Sequence, residues 1–320
     1  MDKKKKRVLI GLGVFGVLLV SAEVVARSVL GFGDPPLSMA DPQIEYLFKP
    51  SATYRRFGNV ISFNRYSMRS EDFPRHKTNP RELRIMMIGD SVINGGAQTD
   101  QNELASRLLE KELSAALKRP VVVGNISAGS WGPPNQLAYV KRFGFFDADM
   151  VVFVFSSHDY SDVPTFIPIV GIFPDFPEHK PLSALHEIGT RYLPRIMGVK
   201  NMPEFVIPES YDSAKNPAIA MAALRQLLVL SRKTGARVLL AQHAERAELK
   251  GKFKTGHGVI SKAAQTLGVP VFQLSPKFKQ AISQGKNPYR DHIHPNPLGQ
   301  RLIADTLKVA IISQLKAKQN

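Results

Sequence analysis

The sequence predicts an α/β fold of three layers, α/β/α, on a parallel sheet of about five strands. Three observations predict it. The chain has 320 residues, 43% hydrophobic and 22% charged, enough for one sizeable core and far from disordered or fibrous compositions. From residue 83 onward, short apolar runs of strand length recur. Between them lie stretches of helical spacing. Strands alternating with helices imply right-handed crossovers and a sheet covered on both faces, with ligands beyond the carboxyl ends of the strands.

The chain opens with Asp2, four lysines and Arg7, followed by the uncharged run 8–22, then Glu23, Val24, Val25, Ala26 and Arg27. Residues 1–27 read as a signal peptide or an N-terminal membrane anchor. The uncharged run is short for a span of roughly 20 residues, and Val20-Ser21-Ala22 resembles a small-residue cleavage site, while an uncleaved anchor reaching Ala26 fits equally. In either case the basic flank stays cytoplasmic. Everything after Arg27 is then expected in the cell envelope, periplasmic or otherwise extracytoplasmic, with the inner membrane as a partner through this segment.

Residues 28–80 carry Asp34-Pro35-Pro36 and scattered arginines and aromatics without sustained period, a linker and irregular extension with short strands around 59–63. The domain proper is expected over 81–320. A strand at 83–88 leads to a helix at 102–117, spaced by Leu104, Leu108, Leu109, Leu113 and Leu117. A strand at 121–123, a helix near 136–143 and a strand at 150–155 follow. The Pro- and aromatic-rich stretch 161–216 is too long for an ordinary connection and reads as a cap-like insertion or a shielding excursion. Beyond it come a helix at 219–231, a strand at 236–241, the segments 262–267 and 269–274, and a last helix from 297 to about 316.

There are no cysteines, which excludes disulfides, a thiolate nucleophile and a cysteine zinc site. The net charge of +16 suits anionic surfaces, but the basic residues are scattered and no nucleic-acid-binding motif is present, so no nucleic-acid partner is expected.

The first strand ends Gly89-Asp90-Ser91, which places Ser91 at the carboxyl edge where the chain turns toward a helix and backbone amides are unpaired. Near the other end, Asp291-His292-Ile293-His294-Pro295-Asn296-Pro297 stands at the entrance of the last helix, with Asn296 a cap and Pro297 its first residue. A serine hydroxyl needs a base to remove its proton, and that base needs a partner that sets its tautomer; His294 and Asp291 are the candidates.

These two motifs resemble the SGNH/GDSL hydrolases, a flavodoxin-like family, over roughly residues 83 to 315. The resemblance implies a serine esterase or acyl hydrolase with Ser91 as nucleophile, His294 and Asp291 as its partners, and no cofactor or metal. Its second motif matches Asn125 to Gly132 and leaves Gly129 and Ser130 as rival oxyanion donors. Its third, Gly-x-Asn-Asp, reads Ser156-Ser157-His158-Asp159 here, so His158 stands where the family's Asn donates. Asp90, Asp159 and Trp131 are expected to contact substrate.

The implied reaction is acyl transfer from a carboxylic ester to water, on an acylated carbohydrate or lipid substrate of the envelope. A sugar hydroxyl in place of water would make the same residues an O-acetyltransferase. His158 also supports a non-catalytic, membrane-tethered binding or assembly protein on a degenerate hydrolase domain. A metal cluster of His158, Asp159, Asp291, His292 and His294, suited to zinc or manganese, is a further reading, which leaves Ser91 without a role.

Overall fold

The structure is a computed structural model that describes residues 2–199 and 212–317. It begins with helix α1 (Lys3–Ser28) and two antiparallel hairpins, β1 (Ser38–Asp41) with β2 (Glu45–Phe48) and β3 (Ala52–Arg56) with β4 (Asn59–Phe63). The domain then runs through β5 (Leu83–Gly89), α2 (Ser91–Asn94), α3 (Ala105–Leu117), β6 (Val121–Ser127), α4 (Pro133–Phe143) and β7 (Met150–Phe155). After the insertion, which contains the short helices α5 (Ala184–Glu187) and α6 (Leu193–Ile196), come α7 (Asn216–Lys233), β8 (Arg237–Gln242), α8 (Thr255–Thr266), β9 (Val271–Gln273), α9 (Ser275–Ser283) and α10 (Pro297–Lys316).

The five strands β5 to β9 form one parallel sheet in the order β6-β5-β7-β8-β9. Side chains alternate across it with period two. Met86, Ile88, Phe153 and Leu240 pack with α4, α7 and α8 through Val140, Leu224 and Ile260. Ile85, Met87, Val152 and Leu239 pack on the other face with α3, α9 and α10 through Leu109, Phe278 and Leu307. The α/β/α architecture therefore stands as the strand and helix pattern predicts.

Several element boundaries differ from the sequence reading. Residues 101–103 form a 3-10 turn capped by Asp100, so α3 starts at Ala105 rather than 102. Pairing with β5 carries β6 on to Ser127, beyond the Val-rich run. Helix α8 starts at Thr255, earlier than the apolar spacing suggests. Its first turn lies against the chain after β7, and a Cβ at Gly256 would fall 1.9 Å from the Ser157 carbonyl oxygen. Close approach explains a glycine in a helix that propensity alone disfavours there.

The stretch expected to be a linker and irregular extension packs into the sheet's own core: Ile44, Tyr46, Leu47 and Met68 lie in the cluster with Met86 and Ile88. Buried Arg69 ties it to the turn after α2 by donating to the carbonyls of Asn94 and Thr99, both 2.6 Å away, and to Gly96. The insertion packs on this extension. Ser38 donates to the Pro177 carbonyl at 2.7 Å, and Phe176 meets Tyr46 edge-on at 4.8 Å. Part of the expected insertion, residues 200–211, lies outside the described residues.

Candidate active site

Strand β5 delivers the Gly-Asp-Ser turn to the carboxyl edge of the sheet. A Cβ at Gly89 would meet the Val154 carbonyl oxygen of β7 at 2.8 Å, so only glycine lets the two strands close here. Asp90 caps α2 by accepting from the Val92 N–H at 2.9 Å. Ser91, the first residue of that turn, is half-buried.

The loop before α10 is folded on Asp291. Its Oδ1 accepts from the backbone N–H groups of Ile293 (2.9 Å) and His294 (2.8 Å), while Oδ2 lies 2.7 Å from His294 Nδ1. A carboxylate accepts only, which makes Nδ1 the protonated nitrogen and leaves Nε2 as an acceptor. That Nε2 lies 2.9 Å from Ser91 Oγ, across 203 residues of chain. Burial pushes the Asp291 carboxyl up, but the N–H groups of His294 and Ile293 and the imidazole more than offset it and hold it at about 2. Asn296 caps α10 on Gly299, with Pro297 in the first turn.

Three side chains that the motif does not contain lock the two ends together. Gln300 of α10 donates to the Val92 carbonyl at 2.7 Å and accepts from the Ala105 N–H at 3.0 Å. Arg290 reaches the Gly95 carbonyl at 3.3 Å. His243, after β8 and fully buried, lies with Nε2 2.8 Å from the Ile293 carbonyl oxygen, so it supports the loop that carries His294. Burial pushes its imidazole down to about 4, and the ring rests edge-on against Phe278 at 5.3 Å. The sequence signal for His243 was its place after the fourth strand of the domain; Gln300 gave none.

His158 stands in the 3-10 turn after β7, its Nε2 3.0 Å from Asp90 Oδ2. Burial opposes a charged ring there, but the carboxyl groups of Asp159, Asp90 and Asp162 overcome it and lift the imidazole to about 10. Burial pushes the Asp159 carboxyl well up, and its Oδ2 accepts from the Ser156 N–H at 2.7 Å. The shift favours the charged form of His158, which the contact with Asp90 pairs. Its Nδ1 is buried and has no hydrogen-bond partner among the described residues.

Tyr46 donates to the Gly129 carbonyl at 2.6 Å and so fixes the peptide joining Gly129 to Ser130, a residue at φ +57°. Trp131 is covered by neighbouring residues. It is 2% exposed, packs on Tyr139, and its indole N–H donates to the Tyr46 carbonyl at 3.3 Å. Asp159 is likewise buried. Of the residues in the metal reading, Asp291 and His294 engage each other and His292 is exposed, whereas Asp90, His158 and Asp159 each place one ligand atom within 4.8 Å of the others. The Asp90–His158 contact among them is the ion pair just described.

Among solved structures, a two-domain esterase active on acetylated mannans matches 74% of this chain at 13% identity and a TM-score of 0.47; the chain spans 50% of that enzyme. An acetyl xylan esterase matches 72% of the chain over its own full length, with 13% identity and a TM-score of 0.46. A lipase/acylhydrolase from Enterococcus faecalis matches 72% of this chain and 96% of its own, at 14% identity and a TM-score of 0.43. No curated protein matches the chain in sequence. The family model for GDSL-like lipase/acylhydrolase matches residues 85–307, from the strand that delivers Ser91 to the helix behind His294. The chain belongs to the GDSL-like lipase/acylhydrolase family and is an ester-hydrolysing enzyme of it.

Proposed function

We propose that the protein is an exported serine esterase that removes O-acyl groups, acetyl among them, from carbohydrate or lipid of the cell envelope. One observation carries the mechanistic part: Asp291, His294 and Ser91 form an unbroken chain of contacts of 2.7 and 2.9 Å. In this reading His294 Nε2 takes the Ser91 proton as Oγ attacks the ester carbonyl, and Asp291 supports the imidazolium. His294 then protonates the leaving alcohol, and water, activated by the same nitrogen, releases the acyl group and regenerates Ser91. The Ser91 amide, an amide of the Gly129–Ser130 turn and His158 are assigned to the oxyanion, one such donor contributing about 100-fold to 1,000-fold in rate. A charged donor suits that task better than a neutral amide, because the developing oxyanion is negative.

Export is supported by the apolar helix behind a basic flank, and the substrate class by that address. Residues 1–27 are assigned to targeting and 161–216 to an insertion over the domain. The test is a fluorophosphonate probe on the full chain, with acetate release from acetylated sugars and short-chain lipid esters measured in parallel. Labelling lost in Ser91→Ala and indifferent to chelators is expected. An unlabelled wild type would favour a binding module, and chelator-sensitive activity the metal reading.

A further inference from the structure

The end of α1 is built into the catalytic domain. Glu23 accepts from the backbone N–H groups of Ala184 and Leu185, each at 2.9 Å, and from Arg27, so its carboxylate caps the helical segment of the insertion from 161 residues away. One turn later Ala26 is buried against Phe32 and Ala184, and its carbonyl accepts from the Phe32 N–H at 3.0 Å. Glu187 completes the joint. Its carboxylate accepts from the Gly33 N–H at 2.6 Å and from both terminal nitrogens of buried Arg56 in β3, at 2.9 and 2.7 Å.

Upstream of that joint the helix has a different character. Among the described residues the apolar part is not buried by the rest of the protein, and Val8, Leu12, Phe15, Leu19 and their neighbours are exposed. The uncharged run 8–22 is about 22 Å long at 1.5 Å per residue, short of the roughly 30 Å of a hydrocarbon core. A span must therefore draw on residues beyond Glu23, where Val24, Val25 and Val29 are exposed and the one acid is already paired. This brings the joint, and the segment it caps, down to the membrane surface.

That segment shows the side chains such a position requires. Leu182 is 89% exposed, Ile196 81% and Met197 67%, with Leu193 exposed beside them. Isolated exposed apolar residues are ordinary, but these flank the short helices whose first turn Glu23 of α1 caps, and a bilayer spanned by α1 is their natural cover. We propose that α1 is retained as a membrane anchor, and that the face carrying Leu182, Leu193, Ile196 and Met197 rests in the bilayer interface. The helix end and this face together make two rigidly connected contacts with the membrane, so the domain is held at one height and one tilt. Removal of the leader at Ala22 would cut the helix directly before the residue that caps Ala184 and Leu185.

The absence of cysteine makes a direct test available, because a single introduced cysteine takes a single label. The full chain is placed in phosphatidylcholine–phosphatidylglycerol nanodiscs with an environment-sensitive fluorophore at Leu18→Cys, Leu182→Cys, Ile196→Cys or Gln284→Cys, and quenched by spin-labelled lipid. Quenching and blue-shifted emission at 18, 182 and 196, with neither at 284, are expected. Quenching at 18 alone would overturn the membrane face. A mature protein whose intact mass lacks the first 22 residues would overturn the anchor. Neither readout depends on ester hydrolysis.

Discussion

Asp90 Oδ2 and His158 Nε2 stand 3.0 Å apart, an ion pair that joins the residue before Ser91 to the turn after the neighbouring strand. Asp159, Asp90 and Asp162 together lift the His158 imidazole to about 10 against the opposing effect of burial. His158→Ala should lower kcat about 100-fold to 1,000-fold with little change in KM, and His158→Asn should recover much of the loss. Equal activity in all three proteins would remove His158 from the oxyanion site.

The same pair carries a pH signature. The folded imidazole, at about 10, lies above its ordinary value of 6.5, so its stabilisation is full below pH 6.5 and is lost as pH rises toward 10. Urea midpoints of the wild type should fall between pH 7 and 9.5 more than those of His158→Asn. Parallel curves would show that the ring is neutral.

Asp291→Asn should keep the backbone turn but lose the acceptor that fixes the His294 tautomer. Steady-state kcat is expected to drop on the order of 10⁴-fold at neutral pH, with circular dichroism unchanged. A drop of less than tenfold would take Asp291 out of the proposed chain.

His243 shifts in the opposite sense to His158. Buried and neutral at about 4 against 6.5 when unfolded, it destabilises the protein progressively as pH falls from 6.5 to 4, by roughly 3 kcal/mol in all. His243→Phe should flatten that acid limb. It should also lower kcat, because the Ile293 carbonyl loses its donor and the loop carrying His294 loosens.

Gln300→Leu leaves the Val92 carbonyl and the Ala105 N–H buried without partners. The expected cost is about 2–4 kcal/mol in urea unfolding, accompanied by reduced kcat, since both groups flank the Ser91 turn. A loss under about 0.5 kcal/mol would mean that water replaces the glutamine.

The sheet and its flanking helices were legible because period-two burial and helical spacing are local signals. Ser91, Asp291 and His294 were legible because each sits where an element begins or ends, the places at which a parallel sheet exposes its chain. What stayed hidden depends on contacts across the chain. Trp131 is expected to contact substrate from its place in a glycine-rich turn, whereas the β1–β2 hairpin covers it. The acidic surroundings of His158 join nearby Asp159 and Asp162 to Asp90, which is distant in the chain, and the glutamine at 300 resembles any polar helix residue until Val92 and Ala105 lie beneath it.

Tyr46, Met68 and Arg69 all precede the family-matched region, yet they fill one face of its sheet and pin the turn behind Ser91. The family-matched segment is thus smaller than what must fold. A gene fragment trimmed to 85–307 is expected to yield an insoluble polypeptide, and any transplant of this esterase needs to begin ahead of Ser38.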